Sequence, residues 1–210
     1  MIKELKLERL NDTEKKIIIE CMLQHYGIKT RFLDLVDNHW VALWMGLHTF
    51  TTIKQVMMYA HYVKREIPYI DLINGTAKEE DFFQYILLLA FPYNNIYKSN
   101  NGIARCGAFM TVDLRQALPS TFLRPHAQHG LLAKKIVSSS ISSDFDMSDA
   151  VVGIIKIRID RAAEWLGTGK LLVQDNLFPA PAYDNGYDIL LSRSDIFSDS
   201  KQQQQIARYV

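Results

Sequence analysis

The hydrophobic patterning predicts an α+β fold: N-terminal helices packed on a mostly antiparallel or mixed β-sheet formed by the C-terminal half. Three observations carry this expectation. Apolar residues recur at helical spacing up to Pro92, strict alternation begins at Ala104, and helices come mainly first with strands later. That order argues against a doubly wound parallel sheet.

The first helix is expected from Asn11-Asp-Thr-Glu14, an N-terminal cap with Glu14 placed to reach back toward it. Ile18, Ile19, Met22, Leu23 and Tyr26 then share one face, and Gly27 suits the left-handed residue that ends the helix. Asp37 or Asn38 caps a second helix reaching about Thr49. Trp40, Val41, Leu43, Trp44 and Leu47 cover most of its circumference, which predicts deep burial.

Ile53, Val56, Met57, Ala60 and Val63 trace a third helix stopped near Pro68. Thr76-Ala-Lys-Glu79 reads as a capping box for a fourth, closed by Pro92. Ala104 to Arg115 alternates as a half-buried strand, apart from Phe109 on the second face. Ile155, Ile157 and Ile159 mark another strand. Leu131–Val137, Leu171–Gln174 and Ile189–Ser192 are shorter candidates. Ser138–Ser143 with Asp144 and Asp146 reads as a surface loop, Phe178–Gly186 as a loop turning at Asn185-Gly186, and Gln202–Gln205 as a frayed or helical tail.

A length of 210 residues fits a single domain over 1–210, with a helical insertion expected at about 52–101. A net charge of +1 gives no long-range field to recruit nucleic acid or an anionic membrane. The longest apolar run, Tyr85–Phe91, is too short to span a bilayer, and Met1–Lys6 lacks the apolar core of a signal peptide. Cys21 and Cys106 lack a paired spacing, so a disulfide framework is excluded and a cytoplasmic protein is the default.

Two segments concentrate polar chemistry. Gln24-His-Tyr-Gly-Ile-Lys-Thr-Arg-Phe-Leu-Asp34 crowds His25, Tyr26, Arg31 and Asp34 between apolar stretches. Such groups are either mutually paired or kept for a ligand. His25 sits at a helix C-terminus, where the carbonyl ends favour a protonated imidazole. Arg31 and Asp34 could form a bidentate pair, and the whole turn reads more readily as an internal brace than as a ligand site. In Arg124-Pro-His-Ala-Gln128-His-Gly130, Arg124 and Gln128 can present donors to a phosphate or an amide edge, or satisfy loop carbonyls.

His126 with His129, and Cys21 with His25, have pairwise metal spacings but no further ligands in a recognisable pattern, so no metal site is assigned. Phosphate-loop, dinucleotide and nucleophile-elbow patterns are missing. Trp40 and Trp44 read as core, and Tyr183 and Tyr187 as pocket walls or hinge packing.

The run Gln24-His-Tyr-Gly-x2-Thr-Arg-x-Leu-Asp34, with Asn38 and Val41-Ala-Leu43 following, resembles the central signature of the FRG domain family. Arg124-x3-Gln128-x-Gly130 is similar to the family's later Arg-x2-Ala-Gln-x-Gly segment, with one residue more. Leu177-Phe-Pro179 resembles its C-terminal Phe-Pro segment. The eponymous Phe-Arg-Gly is missing upstream of Gln24, and 53–101 looks longer and more helical than the family's usual link.

The resemblance implies an accessory or effector module of bacterial or phage proteins. It also suggests kinship with ADP-ribosyltransferase-like folds, which would make NAD a possible cofactor. Three functions are therefore expected as alternatives. One is recognition of a small anionic or nucleotide-like ligand in a polar cleft of Tyr26, Arg31, Asp34, Arg124 and Gln128. The second is NAD cleavage or ADP-ribosyl transfer, with His25 and Glu164 as catalytic candidates and Asp175 as another carboxylate. The third is a structural or protein-interaction module in which every signature group is internally paired.

Overall fold

The computed structural model describes residues 10–54, 58–91, 96–98, 101–136, 146–167, 172–192, 206 and 208–209. The proposed loop at 138–144 and the glutamine run at 202–205 lie outside them. The fold is α+β. It opens with α1 (Asp12–His25), β1 (Leu33–Val36) and α2 (His39–Leu47). The caps form as their side chains dictate. Asn11 accepts from the Glu14 N–H at 2.9 Å, and Gly27 takes a left-handed φ of 105°. Asn38 Oδ1 accepts from the N–H groups of Trp40 and Val41.

The next segment overturns the expected helical insertion. β2 (His48–Lys54) and β3 (Met58–Lys64) pair antiparallel, and only a six-residue helix, α3 (Tyr69–Asn74), follows Pro68. Thr49, Thr51, Thr52 and Ile53 are β-branched, and their stiff χ1 favours a pleated strand over helical crowding. The proposed fourth helix is a single 3-10 turn at Glu79–Asp81, followed by β4 (Phe83–Leu89). Its cap signal is diverted, because the Thr76 hydroxyl donates to Asp71 rather than holding a helix N-terminus.

β5 (Ile96–Lys98), β6 (Ile103–Cys106) and β7 (Phe109–Asp113) follow, so the alternating stretch from Ala104 is a hairpin turned at Gly107 rather than one strand. Then come α4 (Leu114–Ala117), α5 (Leu123–Ala127), β8 (Gly130–Lys135), β9 (Val151–Arg158), α6 (Ile159–Leu166), α7 (Gln174–Leu177), α8 (Asn185–Ser192) and β10 (Arg208–Tyr209). The segments read as strands at Gln174 and at 189–192 belong to helices. Asp184 is the reason for the second: its carboxylate accepts from the Tyr187 N–H at 3.0 Å and caps α8 where a turn was expected.

The principal sheet has strand order β1-β8-β7-β6-β5, every neighbour antiparallel. The N-terminal half thus contributes both edge strands, β1 and β5. Both faces of this sheet are buried. Met110, Val112 and Leu132 face α1, where Ile18, Cys21 and Met22 are fully enclosed. Phe109 and Ala133 face Met147 and Ala150, which accounts for the apolar Phe109 on the second face. A second sheet pairs β10 parallel to β3 beside β2, and β4 pairs with β9 in a two-stranded ribbon.

α2 is apolar around most of its girth because two clusters claim it. Val41 and Trp44 pack on Leu177 and Phe178, while Leu43 and Leu47 pack on Ile159 and Ala162. Trp40, in its first turn, is exposed instead of buried. No described helix is long and apolar enough to cross a membrane.

Candidate functional site

The two signature segments meet in space, and the room between them is filled. Arg124, on the inner face of α5, is fully buried, with its guanidinium carbon 4.4 Å from the centre of the Tyr26 ring and 4.6 Å from that of Tyr187. Phe178 lies 5.7 Å away. A cation enclosed by aromatic faces gains from their quadrupoles in a setting where water cannot screen it.

Beneath it, the buried Asp184 carboxylate accepts from the Tyr26 hydroxyl at 2.7 Å, the Arg124 N–H at 3.1 Å and the Tyr187 N–H. Burial, then the Asp184 charge, pushes the Tyr26 phenol well above its ordinary range. Gln128 is also interior, its amide donating to the Leu177 carbonyl at 2.7 Å. Tyr26, Arg124 and Gln128 therefore face protein, not an open cleft, which corrects the expected site. They brace α1, α5, α7 and α8 against one another.

Of the remaining polar groups of this segment, Arg31 and Asp34 are exposed, Gln24 is half-buried and the His25 side chain is enclosed. Gln24 donates to Asp34 Oδ2 at 2.9 Å, and His25 Nδ1 approaches Asp34 Oδ1 at 3.5 Å. The His25 ring is packed so closely on Gly130 that a β-carbon there would sit 2.7 Å from its Cε1. Nε2 is buried on that side with no hydrogen-bond partner among the described residues. The arrangement resembles a carboxylate-oriented base, but the second nitrogen is turned into protein.

Arg31 does not pair with Asp34. It points from the exposed turn to Glu20, 3.4 Å from its Nε. Glu164 is exposed on α6 and accepts from Arg161 one turn away at 2.7 Å, while α6 buries its other face on α2. His25 and Glu164 do not form a joint catalytic pair in this geometry.

A charged network escaped the sequence reading. Arg115 reaches Asp37 through both terminal nitrogens, at 3.1 and 2.7 Å, and Asp113 at 2.9 Å. The Arg115 hydrogen bonds hold the Asp37 carboxyl below its ordinary range, and the two carboxylates push the Arg115 guanidinium up. His129 has φ 53°, the left-handed region that few non-glycine residues adopt. Its Nδ1 lies 3.2 Å from Asp37 Oδ1 and its Nε2 3.2 Å from Asn38 Nδ2. Because Asn38 Oδ1 already accepts from helix N–H groups, Nδ2 is the donor and Nε2 the acceptor, while Nδ1 also lies 3.2 Å from Arg115 Nη1, which can only donate. The available signal was Asp37 ahead of a cap and Asp113 two residues before Arg115.

The open space lies on the other face of α5. There Leu123, His126 and Ala127 form one wall of a groove of about 890 Å³. Gln174, Asp175 and Asn176 of α7 form the opposite wall, and Phe178, Pro179 and the exposed Tyr183 complete it. The Gln128–Leu177 bond ties these walls together from beneath, and Phe178 separates the groove from Arg124. Of the two tyrosines proposed as pocket walls, Tyr183 lines the groove and Tyr187 is core.

A smaller hollow of about 320 Å³ lies beyond Gln174, beside Trp44, His48, Tyr62 and Lys64. His48 stacks on Trp44 at 3.9 Å and donates from Nδ1 to the Trp44 carbonyl, and burial pulls its imidazole below the ordinary range. No group of three or more histidine, cysteine or acidic residues suited to a metal ion occurs among the described residues. His126 lines the groove while His129 is engaged with Asp37, so this pair is divided between two environments. Compared with known proteins, the chain matches no family model, no curated protein and no solved structure.

Proposed function

We propose that this chain is an FRG-like recognition domain that binds a small, planar, nucleotide-like ligand in the groove outside α5. One observation carries the reading. α5 is locked from within by Arg124 and Gln128, while its outer residues line an open groove of about 890 Å³. A rigid concave site of that size falls in the range of small-molecule pockets. The matched segments support the FRG kinship by packing on each other through Tyr26–Arg124 and His25–Gly130.

The lining favours a base-like group. Phe178, Pro179 and Tyr183 offer apolar and aromatic surface, and His126 offers a hydrogen-bonding imidazole at the rim. Charge narrows the class, since His126 is the basic side chain of the groove and Asp175 stands opposite. A nucleoside or monophosphate is favoured over a triphosphate, whose charge would meet that carboxylate.

Calorimetry with nucleosides, their mono- and triphosphates and NAD tests the reading. The expected result is saturable binding of at least one base-containing ligand, with triphosphates the weakest. Tyr183→Ala and His126→Ala should each weaken it about tenfold, or about 1.4 kcal/mol, with melting temperature unchanged. No binding across the panel, or affinity indifferent to both substitutions, overturns it.

A further inference from the structure

We infer that the hollow beside Trp44 is a second small-molecule site, taking a compact apolar acid with a hydroxyl next to its carboxylate. Lys64 holds the carboxylate and His48 the hydroxyl. The site is separate from the groove outside α5, although Gln174 lines both.

Several elements converge on this hollow. α2 brings Trp44 and Leu47, and the β2–β3 hairpin brings His48 and Lys64. Leu166, at the end of α6, and Leu172, ahead of α7, add to the wall. The apolar part is firmly backed. Trp44 and Leu47 are buried, and Leu166 and Leu172 pack on the cluster that Trp44 forms with Leu177 and Phe178. Gln174 Oε1 accepts from the Tyr62 N–H at 3.1 Å, which ties α7 to β3. A volume of about 320 Å³ is at the lower end for small-molecule pockets and suits one ring with its polar substituents.

Strand register builds the polar pair. His48 and Lys64 stand directly opposite each other on β2 and β3, so their side chains leave the same face of the hairpin. His48 lies flat on Trp44, with ring centres 3.9 Å apart, and its Nδ1 donates to the Trp44 carbonyl at 2.7 Å. A carbonyl only accepts, so Nδ1 carries the proton and the neutral ring presents a lone pair at Nε2. Burial above all, with the Lys64 charge beside it, favours the neutral ring against the pull of the Trp44 carbonyl. Nε2 has no hydrogen-bond partner among the described residues. Lys64 is exposed and has no ion pair among them, and the described lining of the hollow holds no carboxylate.

These groups define the ligand. An ammonium beside an acceptor calls for an anion next to a donor. A carboxylate makes a charge-assisted bond to Lys64, and an adjacent hydroxyl donates to His48 Nε2. An acid without the hydroxyl leaves Nε2 desolvated and unpaired. An amino acid would place its ammonium beside Lys64, where like charges repel. A second anionic group would face only the apolar wall.

Calorimetry on the full chain with phenyllactate, phenylpropionate, phenylalanine and phenylpropanol tests the inference. The expected result is saturable binding of phenyllactate, with each of the other three about tenfold weaker or more. His48→Phe keeps a ring on Trp44 but removes Nε2, and should erase the preference for phenyllactate over phenylpropionate. Lys64→Met, at an exposed position, should weaken both acids about tenfold with melting temperature unchanged. Tyr183→Ala, in the groove, should leave phenyllactate binding intact. No binding of phenyllactate overturns the inference. So does an affinity indifferent to Lys64→Met, or a hydroxyl preference that survives His48→Phe.

Discussion

Gly130 and His25 are in direct contact: a β-carbon on residue 130 would lie 2.7 Å from His25 Cε1, closer than packed atoms approach. The imidazole has little room to retreat, because its Nδ1 side is held near Asp34 and the ring is almost wholly enclosed. Gly130→Ala should therefore destabilise the fold by about 1–3 kcal/mol, the usual cost of overpacking. Urea unfolding checks this, and His25→Ala in the same chain should recover part of the loss. Purely additive effects would show that the contact is not the cause.

Arg124 should matter far more to stability than any exposed cation. Removing its side chain empties the space among Tyr26, Tyr187 and Phe178 and loses the stack of cation on aromatic faces. Arg124→Ala should cost about 3–5 kcal/mol, the range for truncating a large, fully enclosed side chain. Arg124→Lys should restore little, because an ammonium does not reproduce the planar stack. Thermal unfolding of both variants decides the matter.

The Asp37 carboxyl sits below its ordinary value of 3.8, mainly through its bonds from Arg115. A depressed acid stabilises the folded state above its unfolded pKa, and the contribution is lost as pH falls through the folded pKa. The Asp37→Asn variant should accordingly melt lower than the parent near neutral pH, with the gap closing as pH drops below 3.8. The carboxylate is substantially exposed, so the effect should be modest and salt-sensitive. A gap that widens in acid would contradict the assignment.

Gln128 joins the two walls of the groove through the Leu177 carbonyl. Gln128→Met keeps the volume but leaves that carbonyl without this donor, at a cost of about 1–3 kcal/mol. Ligand affinity should fall with stability in this variant, whereas Tyr183→Ala should lower affinity alone. Paired calorimetry and melting curves separate the two behaviours.

The two N-terminal helices were legible because their signals are local: Asn11 and Asn38 reach N–H groups within three residues. β9 was legible because Ile155 and Ile157 alternate with charges. β2 and β3 were not, since Ile53, Ala60 and Val63 fit a helical face as well as a strand. Only pairing between Thr52 and Ala60 and between Thr49 and Val63 distinguishes them. The expected cleft required residues 24–34 and 124–130 to meet, and Tyr26–Arg124 and His25–Gly130 make that contact, but which groups face inward was not legible. A five-residue helix has two faces, and spacing alone does not say that Arg124 turns inward and His126 outward. Asp184 was hidden in an apparent turn, although Tyr187, Leu190 and Leu191 already carried helical spacing after it.

The Asp184 carboxylate gathers the Tyr26 hydroxyl from 158 positions upstream and the Arg124 amide from 60. None of these partners can be recruited until distant stretches of polypeptide have already converged, so the ordering entropy comes due before the reward. This junction should close late, and Asp184→Asn should speed unfolding far more than it slows refolding. Stopped-flow chevrons would register that asymmetry as a steep change confined to the unfolding limb.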